Sequence, residues 1–101
     1  MPSGTAGPTA PTVEVVITEE LDASSVPRVA ALLHEAADLQ PEHLVVDLTA
    51  CPFIDAEAIG MLLDVHRRLW SAGGRLTLRS PGPRVVRTLR LARVENVLHV
   101  E

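Results

Sequence analysis

The sequence predicts an α/β domain with a mixed, mainly parallel β-sheet of about four to five strands and helices packed against it. Stretches that alternate with a period of two are separated by apolar residues at helical spacing, which favours parallel strands joined by helices. The run His43–Leu48 is almost wholly apolar, as expected of a central strand covered on both faces. The 101 residues suit a single domain, and their hydrophobic fraction of 47% suffices for an aliphatic core.

Four segments are predicted as strands: 13–18, 43–48, 75–79 and 97–100. In the first, Val13, Val15 and Ile17 share one strongly apolar face. In the third, Leu76 and Leu78 should point to one side of the sheet and the residues between and around them to the other. This pattern indicates that at least one face of the sheet packs on a core.

Two of the three predicted helices are bounded by serine and proline. The first begins near Ser24 or Ser25, because either hydroxyl can cap the free amides of a first turn. It ends before Pro41. The last helix spans about Pro83 to Ala92, since proline suits the first helical position.

The second predicted helix begins at residue 55 or 56, where the Asp55 side chain can cap it, and ends at about residue 71, before Gly73 and Gly74. Its apolar face is predicted to contain Ile59, Leu62, Leu63, His66, Leu69 and Trp70. We therefore expect His66 to be a packed, hydrogen-bonded core residue. We expect Trp70 to pack at the end of the helix.

Residues 1–12 are predicted to be a flexible tail, and residues 13–101 the folded domain. Proline, glycine, serine, threonine and alanine dominate the tail, which leaves too little apolar surface for burial. The tail resembles neither a signal peptide nor a membrane span, so we expect a cytoplasmic protein without membrane contact.

The composition argues against several classes of function. Cys51 is the only cysteine and the four histidines are scattered, so neither a metal site nor another cofactor is predicted. With a net charge of -4, one Trp and one Phe, the chain does not resemble a nucleic-acid binder. Asp47 and Asp55 lack a nucleophile and histidine arrangement around them, so we do not expect an enzyme.

Charge is unevenly distributed along the chain. Residues 1–64 contain 11 acidic residues and one Arg, whereas residues 65–101 contain 8 Arg and 2 Glu. Either the two halves mix their charges on one surface, or the stretch Arg84 to Arg93 forms a basic face that helps to dock an acidic partner.

The stretch from Leu44 to Leu63 resembles the signature of the STAS family, which includes bacterial anti-sigma factor antagonists. The matching residues are Asp47-Leu48, Phe53-Ile54-Asp55 and Ile59-Gly60, together with Glu20-Leu21-Asp22 before the first helix and Gly73-Gly74 before the third strand. The resemblance covers roughly residues 13 to 101. It implies a single STAS-like domain that acts by binding a partner protein.

The resemblance fails at the position that controls the phosphorylated antagonists. There, the residue after the motif aspartate is the serine that the partner kinase modifies, whereas this chain has Ala56. The next two positions are Glu57 and Ala58. No phosphorylation is therefore expected at Ala56. The carboxylate of Glu57 has two possible roles. It either only stabilises the start of the helix through the helix dipole, or it contacts the partner and partly imitates the phosphorylated form.

The resemblance implies one partner-binding surface, built from the turn before the first helix and the start of the second. The residues assigned to it are Asp22, Ser24, Ser25, Asp55, Ala56, Glu57, Ala58, Ile59 and Gly60. The implied partner is an anti-sigma factor of the histidine-kinase-like ATPase class, and the implied role is regulation of transcription. The alternatives are a scaffold or decoy without a switch, and a sensor that binds a nucleotide or lipid beside the second helix.

Overall fold

The computed structural model describes residues 11–101, so nearly all of the predicted tail lies outside the described residues. The elements follow in the order β1 (Thr12–Val16), α1 (Val26–Asp38), β2 (His43–Asp47), α2 (Ala56–Ser71), β3 (Arg75–Arg79), α3 (Pro83–Leu91) and β4 (His99–Val100). The predicted α/β class and the alternation of strands and helices are confirmed. Among the strands, β1 ends at Val16 rather than at residue 18, and β4 begins at His99 rather than at residue 97.

The sheet has four strands in the order β1-β2-β3-β4. Each pairing in residues 11–101 is parallel, and the register aligns Val15 with Val46 and Val46 with Leu78. The mixed character that we expected is therefore not found in the part of the chain that the structure describes. Because neighbouring strands run the same way, the loops that follow them emerge at one edge of the sheet.

One face of the sheet forms the core. Buried side chains of β2, β3 and all three helices belong to one continuous apolar cluster, against which the half-buried Val13 and Val15 of β1 pack. Val45 and Thr77 are buried on the opposite face, where the Arg79–Glu14 ion pair links β3 to β1 across β2. The central strand β2 is thus covered on both faces, as predicted. The helices cover one face, whereas side chains of the neighbouring strands cover the other.

The bounds of α2 agree with the prediction, but the set of side chains that it buries differs. Its buried residues are Ala58, Ile59, Met61, Leu62, Val65 and Leu69. The buried face of α2 is centred nearer to Met61 and Val65 than we predicted. Trp70 therefore lies away from the core, and its side chain is 66% exposed. His66 is half-buried, its Nδ1 has no hydrogen-bond partner in residues 11–101, and its ring lies 5.9 Å from that of Trp70. The expectations for His66 and Trp70 were therefore wrong.

Candidate functional site

The residues assigned to partner binding lie in two loops that the sheet brings together. One loop follows β1 and the other follows β2, so both leave the same edge of the sheet. They are joined by a parallel bridge between Leu21 and Ile54. The Leu21 amide donates to the Phe53 carbonyl at 2.9 Å, and the Asp55 amide donates to the Leu21 carbonyl at 3.0 Å. We call residues 21–25 and 53–60 the motif surface.

Burial of Leu21 and Ile54 explains why the bridge forms. Both side chains are fully buried in the core, so each loop is anchored by one apolar residue. The backbone groups beside these anchors must then find partners away from water, and each loop supplies them for the other. The bridge thereby positions the start of α2 beside the turn that precedes α1.

Asp22 organises that turn. Its Oδ1 accepts hydrogen bonds from the Ser24 amide at 3.0 Å, the Ser24 hydroxyl at 2.7 Å and the Ser25 amide at 3.2 Å. These donors, the Ser24 hydroxyl first, hold the pKa of Asp22 below its ordinary value. The turn therefore presents a half-buried carboxylate and an exposed serine in a defined conformation.

Ser25 does not cap α1 with its hydroxyl, contrary to the prediction. It occupies the N-cap position without a side-chain capping bond. Its hydroxyl instead donates to the Glu20 carbonyl at 2.7 Å and accepts from the Asp22 amide at 3.0 Å. Because Ser25 is only 5% exposed, its hydroxyl closes the turn from inside rather than facing solvent.

The start of α2 combines a side-chain cap with an exposed first turn. Asp55 Oδ1 accepts from the Ala58 amide at 2.9 Å, which confirms Asp55 as the N-cap residue. Ala56 and Glu57 are exposed, and so is Gly60 one turn later. The carboxylate of Glu57 lies in the first turn, where the helix dipole favours negative charge.

The predicted site residues thus fall into an exposed and a buried group. Asp22, Ser24, Asp55, Ala56, Glu57 and Gly60 are exposed or half-buried. Ser25, Ala58 and Ile59 are buried. Side chains of the first group are accessible to a partner, whereas those of the second group hold the turn and the helix in place.

The side chains of Asp47 and Cys51 form hydrogen bonds to the backbone of the connector between β2 and α2. Asp47 Oδ1 accepts from the Thr49 amide at 2.9 Å, and hydrogen bonds from Thr49 lower the pKa of Asp47. Cys51 is buried, donates weakly to the Phe53 carbonyl at 3.4 Å, and burial raises the pKa of its thiol. The Cys51 thiol is therefore protonated at neutral pH, which makes it a poor nucleophile.

Sequence reasoning did not predict the contact between the motif surface and α3. The Arg84 guanidinium lies over the Phe53 ring, 5.2 Å from its centroid, in a cation–π geometry. Beside it, a groove of about 270 Å³ is lined by the connector residues 49–52 and by residues 82–84. The only available signal was an arginine at the start of the last helix, which indicates no particular aromatic partner.

Residues 11–101 contain no group of three or more histidine, cysteine, aspartate and glutamate side chains that could hold a metal ion. None of the helices formed by these residues is long and apolar enough to cross a membrane.

The fold is that of anti-sigma factor antagonists of known structure. One from Mycobacterium paratuberculosis has a TM-score of 0.81 and 20% identity, over 89% of this chain and 76% of that one. SpoIIAA in its unphosphorylated form has a TM-score of 0.74 and 21% identity, over 92% and 82% of the two chains. The phosphorylated form of this Bacillus cell fate determinant gives 0.68 and 21%, over 92% and 85%.

The family model of the STAS domain matches residues 8–101. The chain therefore belongs to the STAS domain family, as the motifs between Leu44 and Leu63 indicated. A comparison with curated protein sequences gave no significant match.

Proposed function

We propose that this protein is an anti-sigma factor antagonist that acts by binding rather than by catalysis. Its partner is an anti-sigma factor of the histidine-kinase-like ATPase class, and the complex regulates transcription. The observation that carries the proposal is the bridge between Leu21 and Ile54, which holds both motif loops on one surface. The anti-sigma factor antagonists of similar fold support an anti-sigma factor as the partner.

The exposed residues of the motif surface suit a protein partner. Ser24, Ala56 and Gly60 have small side chains, so a partner can approach the backbone closely. Asp22 and Glu57 add one negative charge to each of the two loops. Basic side chains of a partner would therefore complement the charge of this surface.

We further propose that binding is independent of the usual phosphorylation switch. Ala56 is exposed at the first position of α2, but it has no hydroxyl that could accept a phosphate. Glu57 supplies a single fixed charge, whereas a phosphoserine carries close to two at neutral pH. Such a protein would bind constitutively, as an unswitched antagonist, a decoy or a scaffold.

The grooves beside α2 are too small for the alternative of a sensor that binds a nucleotide or lipid there. Two grooves that flank α2 have volumes of about 170 and 180 Å³. Sites for drug-sized ligands occupy roughly 300–1,000 Å³ and enclose most of the ligand. Since neither groove reaches that size, a nucleotide or lipid would remain largely in solvent there.

A titration with purified partners tests the proposal. Candidate ATPase-type anti-sigma factors from the same genome are titrated with the full chain by calorimetry, with and without ATP. We expect one of them to bind the native chain and to bind Ala56→Arg at least about tenfold more weakly, since a bulky cation would disrupt the centre of the surface.

The matched control is Ala72→Arg, which places the same exposed side chain at the opposite end of α2. This variant should bind like the native chain. Thermal unfolding of both variants shows whether either substitution disturbs the fold. Absence of binding to every candidate, or equal losses in the two variants, would refute the proposal. Incorporation of phosphate into the native chain during the same reactions would refute independence from the switch.

A further inference from the structure

Helix α3 presents an exposed face that is rich in arginine. At helical spacing, Arg84, Arg87, Arg90 and Leu91 lie on the side opposite to the buried Val85 and Leu89. We call these four exposed residues the arginine face. Residues 83–94 contain no acidic side chain at all. The face is thus a local concentration of positive charge on a chain whose net charge is -4.

This charge is only partly neutralised within the molecule. Arg84 and Arg87 form no ion pair with any carboxylate of residues 11–101. Arg90 approaches Glu95 at 3.4 Å, and both side chains are largely exposed. The alternative that the two halves of the chain mix their charges on one surface is therefore not what happens on α3.

Leu91 supplies an apolar anchor within this charge. It is 74% exposed, the most exposed of the large hydrophobic side chains in the described residues. Arginines around one protruding apolar residue resemble the centre of a protein interface, where arginine is enriched and an apolar side chain fills a pocket.

The arginine face is continuous with the motif surface. Arg84, at one end of the face, lies over the Phe53 ring of the motif surface at 5.2 Å from its centroid. This contact restrains the Arg84 guanidinium, which reduces the entropy that it would lose on binding. A protein seated on the motif surface therefore meets the arginine face at its edge.

A protein with a local acidic patch fits this face better than a nucleic acid or an anionic membrane. Nucleic acids and membranes are extended polyanions, and they would also meet the acidic part of the molecule, including Glu57. A nucleic acid offers no pocket for Leu91, and residues 11–101 present one exposed aromatic side chain, Trp70, on a different helix.

We infer that the arginine face of α3 is a docking surface for an acidic patch on a protein partner, with Leu91 inserted into an apolar pocket within that patch. The inference goes beyond the proposed function, because it concerns a different element and holds for whichever protein the motif surface binds. Charge attraction through this face should accelerate association, and the effect should weaken as salt is added.

The test uses the isotopically labelled full chain and a synthetic peptide of alternating glutamate and leucine blocks. A peptide with glutamine in place of glutamate is the neutral control, and a short DNA duplex and vesicles of anionic lipid are the competing ligands. We expect the acidic peptide to shift the backbone amide signals of residues 84–91, and the neutral peptide to leave them unchanged.

Two charge reversals make the test specific. Arg87→Glu, at the centre of the face, should weaken peptide binding roughly tenfold. Arg75→Glu changes an exposed arginine that forms no ion pair in residues 11–101. Arg75 lies on the sheet face opposite to the one that packs against α3, so this variant should bind like the native chain. Unchanged signals at millimolar peptide, equal losses in both variants, or tighter binding of duplex or vesicle at the same salt concentration would each overturn the inference.

The peptide titration is independent of the anti-sigma factor. If the native chain binds an ATPase partner and Arg87→Glu binds it equally well, the inference fails and the proposed function stands. If no ATPase partner binds but the peptide shifts α3 as expected, the proposed function fails and the inference stands.

Discussion

At Asp22, one carboxylate determines the shape of a whole turn. It accepts from two consecutive amides and from the Ser24 hydroxyl. Its neighbour Ser25 points inward to the Glu20 carbonyl, so the loop is closed from both sides. The conformation of this half of the motif surface therefore depends on the ionised form of Asp22.

The first prediction concerns the pH dependence of this turn. In the folded protein, the pKa of Asp22 lies below its ordinary value of 3.8. The hydrogen bonds to the ionised Asp22 carboxylate therefore stabilise the fold fully above about pH 3.8. The contribution is lost as the pH falls through the folded pKa. We expect Ser24→Ala, which removes one donor, to raise the pKa of Asp22 toward 3.8 in a carboxyl titration followed by NMR. Ser71→Ala, an exposed serine on α2, should leave the Asp22 titration unchanged.

The second prediction concerns Gly60, which lies exposed within α2. A methyl group added there would meet no atom within 4 Å. Gly60→Ala should therefore raise the free energy of unfolding by about 0.5–1 kcal/mol in urea titrations, since glycine is a poor helix former. The same methyl group should weaken partner binding, because it adds bulk at an exposed position of the motif surface. Stronger folding with undiminished binding would place Gly60 outside the interface.

At the scale of the elements, α2 is bounded by signals that are local in sequence. Asp55 caps its start, and Gly73 follows its end with a φ of 86°, a conformation that favours glycine. Gly74 is required for a different reason, since a Cβ there would lie 2.6 Å from the Pro41 carbonyl oxygen. The chain that enters β2 thus passes directly against the end of α2.

The third prediction compares two glycines. Gly74→Ala should lower the free energy of unfolding by roughly 1–3 kcal/mol, because the clash is with backbone and can be relieved only by moving the chain. Gly82→Ala, where the added Cβ would meet nothing within 4 Å, should cost less, at most about 1 kcal/mol, because alanine is only a poorer N-cap residue for α3. Urea unfolding of both variants checks the difference. Equal effects would mean that the end of α2 can shift freely against Pro41.

The elements also show which features could be predicted from the sequence. The bounds of α2 depend on Asp55 and the two glycines, which act on their immediate neighbours. The hydroxyl of Ser25 was assigned wrongly because its acceptor, the Glu20 carbonyl, is brought close only by the turn as a whole. Trp70 was expected to pack at the end of α2, because periodicity identifies the apolar residues of a helix but not the exact direction in which its neighbours lie.

The candidate site was predicted by resemblance rather than by periodicity. The alternation of predicted strands and helices indicates that β1 and β2 are parallel neighbours. It does not show which residues of the loops after these strands contact each other. The pairing of Leu21 with Ile54, and the contact of Arg84 with Phe53, arise from tertiary packing. No local sequence signal encodes either contact.

At the scale of the whole molecule, stability is concentrated in the middle of the sheet. Strand β2 pairs on both sides, and its residues Leu44, Val45 and Val46 are almost completely buried. Strand β4 lies at an edge of the sheet and has two residues, both exposed. The motif surface follows β1 and β2, so one of its two loops is attached to the most firmly held strand.

The last prediction follows from this difference in stability between β2 and β4 and is tested by native-state hydrogen exchange. The amides of Val45 and Val46 should exchange only through global unfolding, so their exchange should become faster with denaturant as steeply as unfolding itself. The Glu101 amide, which donates to the Leu78 carbonyl at 2.9 Å beside the short β4, should exchange through local opening, with little dependence on denaturant. The Asp55 amide, held by the Leu21 carbonyl, should follow β2 if the bridge makes the motif surface part of the core. If it instead exchanges as fast as Glu101, the two motif loops separate in the free protein, and binding a partner must then include the cost of bringing them together.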